Sequence, residues 1–193
     1  MESLQNLPII HFADQAAWRQ WLAAHFSDQA GVWLKLAKKN KGVSSVSYGQ
    51  ALESALCYGW IDGQVQKYDE QFYLQRFTPR RPKSIWSKTN TEKAEALITA
   101  GSMQPAGLNA IETAKADGRW EAAYFSSSNM VIPDDFQSAL DVNPKAKTYF
   151  DTLNKLNRYA FYFRIQSAHN SATRAKKIER FITMLANGEK LYP

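Results

Sequence analysis

The stretch from Ile61 to Pro82 leaves the backbone little choice. Ile61 to Gln66 and Phe72 to Thr78 flank the polar turn Tyr68-Asp69-Glu70-Gln71, and this pattern predicts an antiparallel hairpin. Pro79 and Pro82 cannot donate to a ladder, so they end the second strand and force an irregular loop.

Upstream, residues 8–12 (PIIHF) and 31–38 (GVWLKLAK) have strand composition, the second leading into a basic KKNKG loop. Between them Asp14 is placed to cap a helix that carries Trp18, Trp21, Leu22 and Phe26 at helical spacing. Ser47 with Gln50 forms a capping box for a helix lined by Tyr48, Leu52, Ala55 and Leu56, which stops near Gly59. After the hairpin, Thr89 with Glu92 predicts a second capping box and a helix ending at Gly101; Pro105 opens another through Leu108, Ile111 and Ala114.

Beyond the Ser-rich stretch FSSSNMVIP (125–133) every segment reads as helical. Pro133 is expected at a first helical position, with Asp134 and Asp135 favouring the positive end of the helix dipole, and Asn143-Pro144 repeats that start. Residues 157–170 carry aromatic side chains on two faces, Tyr159, Tyr162 and Phe163 on one and Phe161 with Ile165 on the other, so this helix is expected to be buried on both sides. The last helix packs through Ile178, Phe181, Ile182 and Leu185. Arg174, Lys176, Lys177 and Arg180 lie on its opposite side, where exchange for Gln is expected to leave the fold intact.

The fold class that follows is α+β: a small, mainly antiparallel sheet with helices, then an all-helical C-terminal part. The expected organisation is an α+β domain at 1–124, a linker at 125–132 and a helical domain at 133–193. The opening MESLQNLPII lacks the pattern of a secretory signal, no apolar run is long enough for a membrane span, and the lone Cys57 fits a reducing compartment. A cytoplasmic location is expected.

Charge is unevenly spread. The net charge of +6 divides into +1 for residues 1–60, +3 for 61–90, −5 for 91–143 and +7 for 144–193. Such a polarised surface draws nucleic acid, phosphorylated metabolites or anionic lipid, unless its cations serve only solubility.

The segment 57–90, CYGWIDGQVQKYDEQFYLQRFTPRRPKSIWSKTN, concentrates the chemistry. No acidic residue occurs from Gln71 to Thr91, while Arg76, Arg80, Arg81, Lys83 and Lys88 all do. Arg80 and Arg81 would offer planar forks to a phosphate or carboxylate, with Ser84, Ser87 and the backbone amides at a helix start near Thr89 and Asn90 adding donors, or the arginines would pair with the acidic 91–143 segment. Trp60 and Trp86 have two readings, as stacking surfaces for a base or as core anchors. Asp62 also has two: a turn residue before Gly63, or an acid orienting Arg76 or Arg80 that would be the one general base to test.

Catalytic and metal signals are weak. His11, His25 and His169 lack metal-ligand spacing, one cysteine cannot build a Cys-rich zinc site, and no nucleophile elbow, phosphate loop or dinucleotide fingerprint is present. The sequence calls for no cofactor.

The strings LCYGWIDG (56–63), TPRRPKSIWSKTN (78–90), GSMQPAG (101–107) and DGRW (117–120) resemble the YdeI/OmpD-associated family, also labelled bacteriocin-protection proteins, and RAKKIERFITMLANGEK (174–190) is similar to its C-terminal OmpD-associated domain. The resemblance implies a cytoplasmic bacterial protein linked to tolerance of bacteriocins or antimicrobial peptides, with no catalytic residues to carry over. Three functions stay open: a module binding an anionic small molecule or nucleotide, an enzyme using the same pocket, and a nucleic-acid or protein interaction module working through the basic last helix.

Overall fold

The structure, a computed structural model, describes residues 2–28, 30–168 and 170–193. Two compact units divide them: Met1–Ser84 with Glu92–Ala114, and Ile85–Thr91 with Lys115–Pro193.

In the first unit β1 (Ser3–Leu4) folds back on β2 (Leu7–His11) through Gln5 and Asn6, both at positive φ, the geometry of a tight hairpin turn. Asp14 accepts from the Ala17 amide at 2.8 Å to cap α1 (Gln15–His25), which carries the chain over to β3 (Val32–Ala37) and sets β3 parallel to β2. The Ser47–Gln50 capping box opens α2 (Tyr48–Cys57) as its sequence requires. The hairpin of β4 (Trp60–Lys67) and β5 (Phe72–Pro79) completes a sheet of order β1-β2-β3-β5-β4, antiparallel except for the β2–β3 pair. The α+β class, with a mainly antiparallel sheet, stands.

Alternation along β3 buries both faces. Val32, Leu34 and Leu36 point one way; Trp33 points the other, where it packs with Leu7 and Leu74. Trp18 donates from Nε1 to the Ala51 carbonyl at 3.0 Å, tying α1 to α2, and its ring lies 5.6 Å from Phe77. The register of β4 against β5 shifts between Asp62 and Val65, and buried Gln75 donates to the Gly63 carbonyl at 2.9 Å and that of Gln64 at 3.3 Å. Those bonds satisfy carbonyls that the irregular ladder leaves over.

Helices α3 (Lys88–Thr99) and α4 (Pro105–Ala116) follow. Gly59, at φ +74°, reverses the chain from α2 into β4, and α4 approaches the end of α2 so closely that a Cβ on Gly107 would lie 2.3 Å from the Cys57 carbonyl oxygen. The expected Thr89 cap is displaced by two residues. Ser87 Oγ accepts from the Asn90 amide at 3.2 Å and the Ser87 carbonyl from Asn90 and Thr91; Ser87 reaches this position because it bridges Tyr124, whose carbonyl takes the Lys88 amide at 2.8 Å.

The helical C-terminal part lies in the second unit: α5 (Asp134–Asp141), α6 (Pro144–Thr152), α7 (Lys155–Gln166) and α8 (Ser171–Ala186). Pro133 proves to be the N-cap rather than the first helical residue, while Asn143 caps α6 with Pro144 at its start as expected. Phe136, Phe150, Phe161, Ile165, Phe181 and Leu185 form the core, with edge-on pairs such as Phe161–Phe181 at 5.0 Å. The other face of α7 is also covered: Tyr162 Oη accepts from the Phe125 amide at 2.7 Å and Phe163 meets Tyr124 edge-on at 4.9 Å. Phe125 opens the stretch expected to serve as a linker. Buried Asn157 takes the Leu191 and Tyr192 amides on Oδ1 and donates to the Tyr192 carbonyl, clamping the C-terminal segment to α7.

Arg174 corrects the expected basic face of α8. Its guanidinium grips Asp135 in a two-point pair (2.5 and 2.9 Å) and donates to the Ile165 carbonyl at 2.8 Å, while Lys177 donates to the Arg164 carbonyl at 3.0 Å. The four-fold Gln variant would therefore not be neutral. These hydrogen bonds hold the Asp135 carboxyl below the usual carboxylate range. A depressed folded-state value means that the pair's contribution is complete above about pH 4, where the unfolded carboxyl ionises, and is lost as pH falls through the lower folded-state value. Arg174→Gln alone should cost about 1 kcal/mol, since the pair is partly exposed and solvent-screened, and should flatten the acid limb of stability against pH below about 4. Urea unfolding of both proteins between pH 3 and 7 checks this.

Candidate anion site

Strand geometry sets the arginine cluster. Arg76 and Thr78 share a face of β5 by the two-residue alternation, and Arg76 pairs in register with Trp33. Beyond Pro79, the Arg80 amide donates to the Gly59 carbonyl at 2.9 Å, so the turn at Gly59 fixes where the next guanidinium starts. Arg81, Pro82, Lys83 and Ser84 form a turn closed by the Ser84 amide on the Arg81 carbonyl at 2.8 Å, with proline at the position that suits its fixed φ. Arg80 Nη1 donates to Ser84 Oγ at 3.1 Å.

The result is a cavity of about 220 Å³ lined by Arg76, Thr78, Pro79, Arg80, Arg81, Pro82 and Ala30. No carboxylate of the described residues lines it. Arg76 Nε is buried and has no hydrogen-bond partner among the described residues, an arrangement that costs a charged donor its hydration without replacing it. Arg81 is exposed.

A larger groove, about 580 Å³, runs between α5 and α8 along Ala139, Val142, Ala175, Ile178 and Ile182, with the Asp135–Arg174 pair at its edge. Its walls are largely apolar, with Asn143, Ser171, Glu179 and Thr183 among them, and Arg174 is engaged by Asp135. Arg76, whose Nε is buried without a hydrogen-bond partner among the described residues, lines the smaller cavity.

Of the residues singled out in sequence, Arg76, Arg80, Arg81 and Ser84 come together. Trp60 does not join them: it is fully buried, donates from Nε1 to the Phe26 carbonyl at 2.9 Å and meets Trp21 edge-on. Trp86, Ser87 and Asn90 belong to the second unit, where Trp86 is 2% exposed against Trp120 and Ser87 caps α3 through the Asn90 amide. Both tryptophans are core anchors, and the α3 start spends the Asn90 amide and that of Lys88 internally. Asp62 is a strand residue, not a turn residue. It pairs in register with Phe77 and so faces away from Arg76, and it accepts from Tyr48 Oη at 2.9 Å. Thr78 and Ala30 were missed in sequence; the alternation of Arg76 with Thr78 was the available signal for the first, and nothing local marked the second.

Cys57 is buried, and burial pushes its thiol above the ordinary range, away from nucleophilic use. Among the described residues no three His, Cys, Asp or Glu side chains are placed to hold a metal, and His169 lies outside those residues. No helix of the described residues is long and apolar enough to cross a membrane.

Residues 10–110 match the family described as Domain of unknown function (DUF8412), and residues 129–188 match the family described as Bacteriocin-protection, YdeI or OmpD-Associated. The strings at 56–63, 78–90 and 101–107 fall in the first match and DGRW at 117–120 in neither, so the bacteriocin-protection resemblance is carried by the C-terminal helices. No curated protein and no solved structure matches the chain. Its C-terminal residues 129–188 are similar to the bacteriocin-protection, YdeI or OmpD-associated family, and the chain, with the arginine cavity lying inside the residues of its longer match, belongs to the DUF8412 family.

Proposed function

We propose that the first unit is a binding module for a small anion, seated among Arg76, Arg80 and Arg81. The single observation that carries this reading is Arg76, whose Nε is a buried donor with no hydrogen-bond partner among the described residues, beside a cavity that no carboxylate of those residues lines. A general base is not at hand, since Asp62 faces the other side of the sheet, which favours binding over catalysis in this cavity. The nucleic-acid reading loses ground as well, because Arg174 and Lys177 of α8 are engaged internally.

Protection against bacteriocins or antimicrobial peptides, the role that the family name carries, would then be exerted from the cytoplasm through the bound anion. Direct capture of cationic peptides is disfavoured by a net charge of +6.

Binding to the native state alone raises stability by mass action, by about 2.7 kcal/mol at a hundredfold excess over Kd. Titrating phosphate, pyrophosphate and citrate against sodium chloride of matched ionic strength should therefore raise the melting temperature of the protein for at least one anion. Arg81→Gln should abolish the rise without lowering the melting temperature of the unliganded protein. An equal rise in the variant would remove the arginine cavity from consideration.

A further inference from the structure

The groove between α5 and α8 presents apolar side chains to solvent, and whatever covers it has to match the charges at its rim. We propose that it is the contact surface of a symmetric homodimer, in which α8 of one protomer packs antiparallel against α8 of its partner. This inference concerns the second unit alone and is independent of the anion site.

Spacing supplies the first argument. Ala175, Ile178 and Ile182 recur at the i, i+3, i+7 interval that places side chains on one helix face, and Glu179 lines the groove beside them. From Ser171 to Thr183 the groove follows α8 for about 18 Å, roughly three turns. Ile178 and Ile182 are half-buried, Ala175 is exposed, and Val142 in the α5 wall is 84% exposed. Contiguous apolar surface edged by charge marks an interaction site.

Charge decides the occupant. Asp135 and Arg174 offset one another in their two-point pair. Glu179 also borders an adjoining hollow together with Lys176 and Arg180, and all three are exposed. One flank of the apolar stripe therefore carries both signs and can complement a copy of itself. A purely acidic or purely basic partner would leave one sign unmatched.

In antiparallel helices related by a two-fold axis, residues face one another when their numbers have a constant sum. With the axis level with the midpoint of Ile178 and Glu179, small Ala175 faces Ile182 of the partner subunit. In the same register Glu179 lies two residues, about 3 Å along the helix, from both Lys176 of the partner subunit and Arg180 of the partner subunit. Each protomer makes both contacts, as two-fold symmetry requires. Two chains of net charge +6 repel at long range, but physiological salt screens that repulsion beyond about 8 Å and leaves the local pairs to act.

Sedimentation equilibrium of the full chain between about 1 and 200 μM tests this, since mass action makes a dimer concentration-dependent. The unsubstituted protein should pass from monomer to dimer over that range. A175E, at an exposed position, puts bulk and charge against Ile182 of the partner subunit and should weaken association about tenfold or more with an unchanged circular dichroism spectrum. E179K and the double variant K176E/R180E should each weaken it as well, and an equimolar mixture of the two should dimerise again, because opposite charges then meet across the contact. A chain that stays monomeric at about 200 μM would overturn the proposal and leave the groove to a different partner. Dimers that A175E leaves unchanged would overturn it in favour of another surface, and dimers unmoved by E179K would overturn the antiparallel register.

Discussion

Trp60→Ala should cost the first unit about 3–5 kcal/mol, the range for emptying a fully buried aromatic site. The indole is 0% exposed, packs edge-on against Trp21 at 5.9 Å and donates to the Phe26 carbonyl, so truncation leaves a cavity and an orphaned acceptor together. Anion affinity of the fraction that remains folded should be unchanged, because Trp60 does not line the arginine cavity. A stacking role would reverse both outcomes, lowering affinity and sparing stability. Urea unfolding followed by titration at low denaturant separates the two.

Gly107→Ala should also destabilise, against the ordinary sign of such a change. Alanine in a helix is normally worth up to about 1 kcal/mol over glycine. Gly107 lies within α4, but its added Cβ would meet the Cys57 carbonyl oxygen at 2.3 Å and Cε of Met103 at 2.7 Å. The methionine can swing aside. The carbonyl cannot, since it belongs to the last residue of α2 and accepts the Gln104 amide. Overpacking of this kind costs about 1–3 kcal/mol or more. Gly49→Ala in α2 is the control, because nothing lies within 4 Å of its added Cβ; it should be neutral or stabilising. Equal effects of the two changes on the urea midpoint would show that the α2–α4 approach is looser than described.

Local signals were legible wherever one segment decides its own conformation. The Ser47–Gln50 capping box, the hairpin around residues 68–71 and the Asn143-Pro144 helix start all form as read, because caps, turns and prolines act within a few residues. What failed depended on distant partners. Ser87 took the cap from Thr89 because Tyr124 bridges it, and Arg174 left the exposed face of α8 because Asp135 and the Ile165 carbonyl attract its guanidinium. Neither partner is visible from periodicity.

The candidate site divides along the same line. Arg76, Arg80 and Arg81 were legible as a cluster because an acid-free run with two prolines confines them to one strand end. Trp60 and Trp86 were ambiguous in sequence because an aromatic side chain can serve a core or a ligand, and only burial decides. For Asp62 the β4–β5 register decided, turning it away from the arginines.

The most direct test of the anion site pairs two measurements on Arg76→Met, unfolding free energy without added anion and affinity for pyrophosphate. Methionine keeps much of the apolar stem and removes a buried charged donor that lacks a partner among the described residues. Replacing such a group by an apolar one is often neutral or stabilising. The account predicts unliganded stability equal to or above that of the unsubstituted protein and pyrophosphate affinity lower by about tenfold or more, the worth of one charge-assisted hydrogen bond. Lower unliganded stability with unchanged affinity would contradict it, and would make Arg76 a structural cation.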